Sequence, residues 1–246
     1  MAFRVLWAVA SVALAVLALT ACTTNQQQGP TQDIVFAIPW SASEEATYRI
    51  LRDGEIIGRG VFRIEVEEDA LLLTQEFAFP EREFEDVVRA RVDKQTLKPL
   101  TVERVITGPE GDRNWEVNYV SGIAEVTQTG GGDERTDQIN IPEYHYESWS
   151  DLFLWRTIDF STGYRASYND MLTAVLTRPR KVLMSLQVVG LESVAVAAGQ
   201  FEAWKLEIRA GGSRQVAWYS SDEERLLLRY DNGELEFELE RASSGG

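Results

Sequence analysis

The sequence predicts a mainly β fold: a single antiparallel, strongly curled sheet, barrel or half-barrel, with one short helix near 149–158. Three observations carry this expectation. Segments of period-two hydrophobicity recur along most of the chain. Glycine-containing turn signals separate them at short intervals. One aromatic-rich stretch, residues 142–164, breaks the alternation. A sheet of this length curls because an open one leaves unpaired edges and a bare apolar face.

The elements follow in chain order. Residues 1–21 carry Arg4 as their only charge, then an apolar run from Leu6 to Leu19 and small residues. That is the pattern of a signal peptide; the run falls short of the ~20 residues that span a bilayer. Residues 22–32, mostly Thr, Asn, Gln, Gly and Pro, form a flexible tether. A single β domain is expected over 33–240, and a disordered tail over 241–246, RASSGG.

Within the domain, Asp53-Gly54 separates two strand-like runs, and Phe62, Ile64 and Val66 alternate with Arg63, Glu65 and Glu67. Trp115, Val117 and Tyr119 alternate with Glu116 and Asn118, and Ser121-Gly122 follows as a turn. Val182, Met184, Leu186 and Val188 share one face, as do Trp204, Leu206 and Ile208, with Gly211-Gly212 beyond. The last hairpin is LLLRYDNGELEFELE: Leu235, Phe237 and Leu239 alternate with glutamates, so one face is buried and the other wet. Asn232-Gly233 supplies the two positive-φ positions of a type I′ turn. Ser148-Trp149-Ser150-Asp151 has the S-x-x-D form of a capping box ahead of Leu152-Phe153-Leu154-Trp155, which places the short helix.

Leu19-Thr20-Ala21-Cys22, with the only cysteine of the chain, closes the apolar run. It resembles the bacterial lipobox. The resemblance implies that the Cys22 thiol receives a diacylglycerol and becomes the mature N-terminus, so that a membrane is a partner through this N-terminal lipid anchor and the protein is extracytoplasmic. Several acyl chains give the hold that one alone lacks. No internal disulfide is available, so the domain stands on its core.

The net charge is −15, and loss of a leader containing Arg4 makes the body one unit more acidic. Such a chain is unsuited to nucleic acid or to adsorption on anionic lipid. His145 is the only histidine, so any serine or cysteine triad must use it; no G-x-S-x-G motif accompanies it. Zinc lacks ligands, and no acidic run has the spaced calcium loop. Gly130-Gly131-Gly132 is a hairpin tip without the Lys-Ser/Thr of a phosphate loop. No catalytic residue, metal site or cofactor is assigned. The candidate site is Tyr144, Tyr146, Trp149, Phe153 and Trp155: either core that closes the sheet or the lid and lining of an apolar pocket.

The pattern VVGLESVAVAAGQFEAWKLEI, then VAWYSSDEERLLLRY and a final acidic strand, resembles a family of bacterial exported β-domains of unknown function. YRILRDGEIIGRG is similar to that family's opening hairpin. The resemblance implies an envelope protein with a barrel-like sheet and no active site to transfer. Three functions follow as expectations: a non-catalytic lipoprotein that binds an apolar ligand or lipid, a structural module that docks an envelope protein, and an envelope hydrolase built on carboxylates or His145. The shape of the interior separates them.

Overall fold

The computed structural model describes residues 28–132 and 134–244. The expected signal peptide, Cys22 and residues 245–246 lie outside these. Strands β1 (Glu44–Arg52), β2 (Glu55–Val66), β3 (Ala70–Phe79), β4 (Phe84–Asp93), β5 (Pro99–Thr107), β6 (Arg113–Val120), β7 (Ile123–Gly130) and β8 (Arg135–Asn140) form an up-and-down meander. The chain then makes β9 (His145–Glu147), a helical segment, β10 (Arg165–Leu172), β11 (Arg180–Val196), β12 (Gly199–Ala210), β13 (Ser213–Ser220), β14 (Leu227–Asp231) and β15 (Glu236–Ser244). Among the described residues these fifteen strands make one sheet, in the order β8 to β1, then β15 down to β9.

This order explains the curl. The first and last strands, β1 and β15, pair antiparallel and join two meanders into one ribbon. The free edges, β8 and β9, are neighbours in sequence but not in the sheet, so the barrel stays open there. All pairings are antiparallel except β9 with β10, which is parallel. The helical segment between these two strands is a crossover, and a crossover returns the chain in the same direction.

Two-residue hairpins form where both turn residues can hold positive φ. Asp53 and Gly54 have φ of 52° and 82°, and Ser121-Gly122 and Gly211-Gly212 behave alike. The Asn232-Gly233 turn differs from the type I′ expectation. Asn232 is absent from the positive-φ residues, and its Oδ1 accepts from the Glu234 and Leu235 amides at 2.9 and 2.8 Å. Asn232 thus uses its side chain to bridge the turn, which moves one residue along to Gly233-Glu234.

The helical segment is Ser148–Ser150 in 3-10 form, α1 (Asp151–Leu154) and Trp155–Thr157 again in 3-10 form. It plugs the interior: Leu152, Phe153, Leu154 and Trp155 are all buried. The capping box does not form. Neither Ser148 nor Ser150 caps an amide; their hydroxyls turn back to Glu147, onto Oε1 at 3.2 Å and the main-chain O at 2.7 Å. Tertiary donors serve the plug's carbonyls instead: Gln75 Nε2 donates to Trp149 O, and Tyr219 OH to Leu152 O at 3.0 Å. Buried main-chain groups need such partners where a helix is too short to supply its own.

Both ends of the domain extend beyond the expected limits. Arg241–Ser244 continue β15 and pair with Glu44–Thr47, so only the last two residues remain of the expected tail. Part of the expected tether is docked on β10: the Gln32 amide donates to Ser167 O and the Ser167 amide to Pro30 O, at 2.9 and 2.8 Å. A Cβ on Gly29 would lie 2.5 Å from Ala166 N, so this approach needs glycine. The open edge of β10 offers main-chain groups that polar residues can satisfy, and composition alone does not reveal that.

Candidate active and binding site

The plug and the inner faces of the strands leave a cavity of about 700 Å³, within the ~300–1,000 Å³ typical of small-molecule sites. Phe77 on β3, Trp149 and Trp155 of the plug, Met184 on β11, Tyr230 on β14 and Phe237 on β15 supply apolar wall. These side chains come from both meanders, because inward positions alternate with solvated ones along each strand. An aromatic network backs the wall: Phe77 meets Phe237 edge-on at 5.9 Å, and Phe62 stands 5.9 Å from Phe153.

Into this apolar setting the chain places three buried carboxyl groups, Glu147, Asp151 and Asp170. Asp151 and Asp170 line the cavity. Glu147 lies behind it and is held by donors: Tyr119 OH and Thr173 Oγ1 (2.7 Å) at Oε2, and Ser148 at Oε1. Burial pushes the Glu147 carboxyl up to about 7, although these hydrogen bonds pull it down. Asp151 accepts from Tyr168 OH at 2.7 Å, and Tyr168 in turn accepts from Trp155 Nε1 at 2.9 Å. Burial raises Asp151 well above the usual carboxylate range; the Tyr168 bond opposes this and the Glu147 charge adds to it. Asp170 is also raised well above that range, by burial first and then by the charges of Asp151 and Glu147, against a smaller effect of Arg180. Its Oδ1 is buried without a hydrogen-bond partner. Burial and mutual repulsion therefore both favour the protonated form of the two cavity acids.

The chemistry of this arrangement is that of an aromatic lining that carries two raised carboxyls, hydroxyls and the Arg180 guanidinium. Among the described residues no group of three or more His, Cys, Asp or Glu is arranged to hold a metal ion. His145 is half-buried, stacked 6.5 Å from Tyr119 with its ring plane 13° away. Burial, and then the Lys98 charge, push its imidazole below the usual value. It is remote from the cavity lining.

The candidate residues divide. Trp149 and Trp155 line the cavity. Tyr146 is core: its ring meets Tyr168 edge-on at 5.5 Å, and its hydroxyl donates to Asp33 at 3.2 Å. Phe153 is core against Phe62. Tyr144, at φ 52°, forms the turn before β9 and does not reach the cavity. The plug turns by about a third of a circle per residue, so a run of neighbouring aromatics cannot all face one way. The carboxyl cluster was not selected from the sequence. Its one signal was the placement of Glu147 and Asp151 inside an aromatic run, and Asp170 between the apolar stretches of β10.

Comparison with known proteins agrees with this geometry. Residues 34–240 match the model of a protein family of unknown function, DUF3108. The chain belongs to that family. A solved structure with a similar fold is described as a beta-barrel-like protein of a domain of unknown function, DUF1849, from Brucella abortus. The two share 10% identity at a TM-score of 0.55, over 83% of this chain and 98% of that one. At that identity the likeness concerns the fold alone. No curated protein matches the chain.

Proposed function

We propose that this protein is a non-catalytic, extracytoplasmic lipoprotein, anchored through acylated Cys22, that holds an apolar ligand in the cavity of its curled sheet. The observation that supports this reading most is the cavity of about 700 Å³ with aromatic walls from both meanders. Its acids fit the same reading, since burial raises Asp151 and Asp170 toward the neutral form, which can donate to an uncharged polar group. Raised carboxyls also suit a general acid or base, so it is the aromatic wall, and not the acids, that favours binding over hydrolysis. The docking-module alternative has an open edge in β8, but Arg135 and Asp137 on that strand blunt it against strand addition.

The test is binding of the fluorescent apolar probe N-phenylnaphthylamine to the acylated protein and to Ala210→Phe, which narrows the cavity at its wall. The wild-type protein is expected to bind, and the variant to lose at least about tenfold in affinity with an unchanged urea midpoint. Equal binding by the two, or none by the wild type, overturns the reading. Labelled palmitate incorporated into the wild type and absent from Cys22→Ala tests the anchor.

A further inference from the structure

A second recess, of about 370 Å³, adjoins the site and differs from it in charge. Its walls include Phe79, Phe84, Ile106, Pro109, Leu176 and Leu235. Phe79 and Phe84 pack at 5.9 Å, and Leu176 is 54% exposed. The recess continues the cavity along the same strands. On β3, Gln75 and Phe77 line the cavity and Phe79 lines the recess. At the start of β15, Phe237 lines the cavity and Leu235 the recess; Val175 and Leu176 divide in the same way. Positions two apart on a strand share a face and are ~6–7 Å apart, so the two spaces are neighbours along the same sheet face, with Arg104 over Trp149 at their boundary.

Arginines surround the outer stretch. Arg52, Arg82, Arg104 and Arg113 line it, against one acid, Glu110. Arg104 is committed to Asp86. Among the described residues the one ion-pair partner of Arg113 is the Glu110 carboxylate at 3.8 Å, and that side chain is 87% exposed. Among the described residues, Arg52 and Arg82 form no ion pair. Such a concentration of cations on a chain of net charge −15 is local. Guanidinium groups beside an apolar channel suit a carboxylate or phosphate at the end of a hydrocarbon chain.

We propose that the ligand is a single acyl chain ending in an anion, with the anion on Arg52, Arg82 and Arg113 and the chain running past Phe79 and Leu235 toward Phe77 and Phe237. This rests on the apolar-ligand reading of the cavity.

The experiment compares palmitate with hexadecanol, its uncharged counterpart, as competitors of N-phenylnaphthylamine on the full chain and on Arg52→Gln/Arg82→Gln/Arg113→Gln. Palmitate is expected to compete at least about tenfold more strongly than hexadecanol on the wild type, and the triple variant to lose that preference while it binds hexadecanol as before. Lysophosphatidate in the same assay distinguishes a phosphate head from a carboxylate. Equal competition by all three on the wild type overturns the anion site and leaves the apolar cavity standing. Competition by none of them, with the probe itself unbound, overturns the cavity reading as well. A preference for palmitate that survives the triple substitution overturns the assignment to these arginines. The substituted side chains lie at the surface, so a matching urea midpoint shows that the fold is retained.

Discussion

Buried charge is handled in two ways in this molecule. Arg104 and Arg156 are buried, each on a carboxylate and a main-chain carbonyl. Arg104 reaches Asp86 through Nε and Nη2 at 2.9 and 2.6 Å, donates to Ala174 O at 2.7 Å, and lies 4.4 Å from the Trp149 ring centre. Arg156 holds Glu44 in a fork at 2.7 and 2.9 Å and donates to Glu224 O at 2.6 Å. Among the described residues the buried acids Glu147, Asp151 and Asp170 have no ion-pair partner, and burial raises all three toward the protonated form instead. The first set ties strands and plug together. The second set stands at the cavity, where a salt bridge would fill the space with charge. A buried pair is costly to break and modest in net benefit; an unpaired acid is costly to ionise.

The sharpest way to break this contrast is to remove one member of a pair. Arg104→Met leaves Asp86 buried and alone, and is expected to cost about 3–5 kcal/mol in urea unfolding. Arg104→Met with Asp86→Leu should recover a good part of that loss. If the single variant is as stable as wild type, the pair is not structural.

Next in size is the pH dependence of the acids. A carboxyl raised in the folded state binds its proton there more tightly than in the unfolded chain. Its contribution is complete below the unfolded value and is lost as pH rises through the folded one. For Glu147 that window runs from 4.5 to about 7. Wild type is expected to lose about 3 kcal/mol across it that Glu147→Gln does not lose. Urea midpoints on either side of the window measure this; parallel profiles would remove Glu147 from the set of raised acids.

Asp170→Asn is expected to be more stable than wild type at pH 8, because it never has to gain a proton on folding. At pH 4 the two should differ little. A loss at pH 8 would mean that Asp170 is ionised in the fold and belongs with the paired charges. The smallest effect is that of Tyr119→Phe, about 1 kcal/mol for the lost hydrogen bond. It should also move the Glu147 midpoint further up, since the Tyr119 bond lowers it.

Much of the fold was legible in local pattern. Alternation identified strands such as β2, β6 and β12, and Asp53-Gly54, Ser121-Gly122 and Gly211-Gly212 marked hairpins that form as two-residue turns. The misreadings came where a side chain had a better partner than its neighbours suggested. Ser148 and Ser150 serve Glu147 rather than the helix amides. Gly29 and Pro30 find an open strand edge, and Arg241–Ser244 find β1. Of the five aromatics, Trp149 and Trp155 reach the cavity and the others fill core or a turn. The carboxyl cluster was illegible because Glu147 and Asp170 meet only through the parallel pairing of β9 with β10, and Tyr119 joins them from the opposite meander.

What the amino-acid sequence determined by itself is a curled, mainly antiparallel sheet with an aromatic plug. Period-two patterning and turn chemistry act over a few residues, and both are written along the chain. What only the tertiary structure decided is that the interior is partly empty, that raised, buried acids stand at it, and that arginines line a neighbouring recess. A protonation state depends on burial, and burial depends on strands from both halves of the sheet closing over the same side chain.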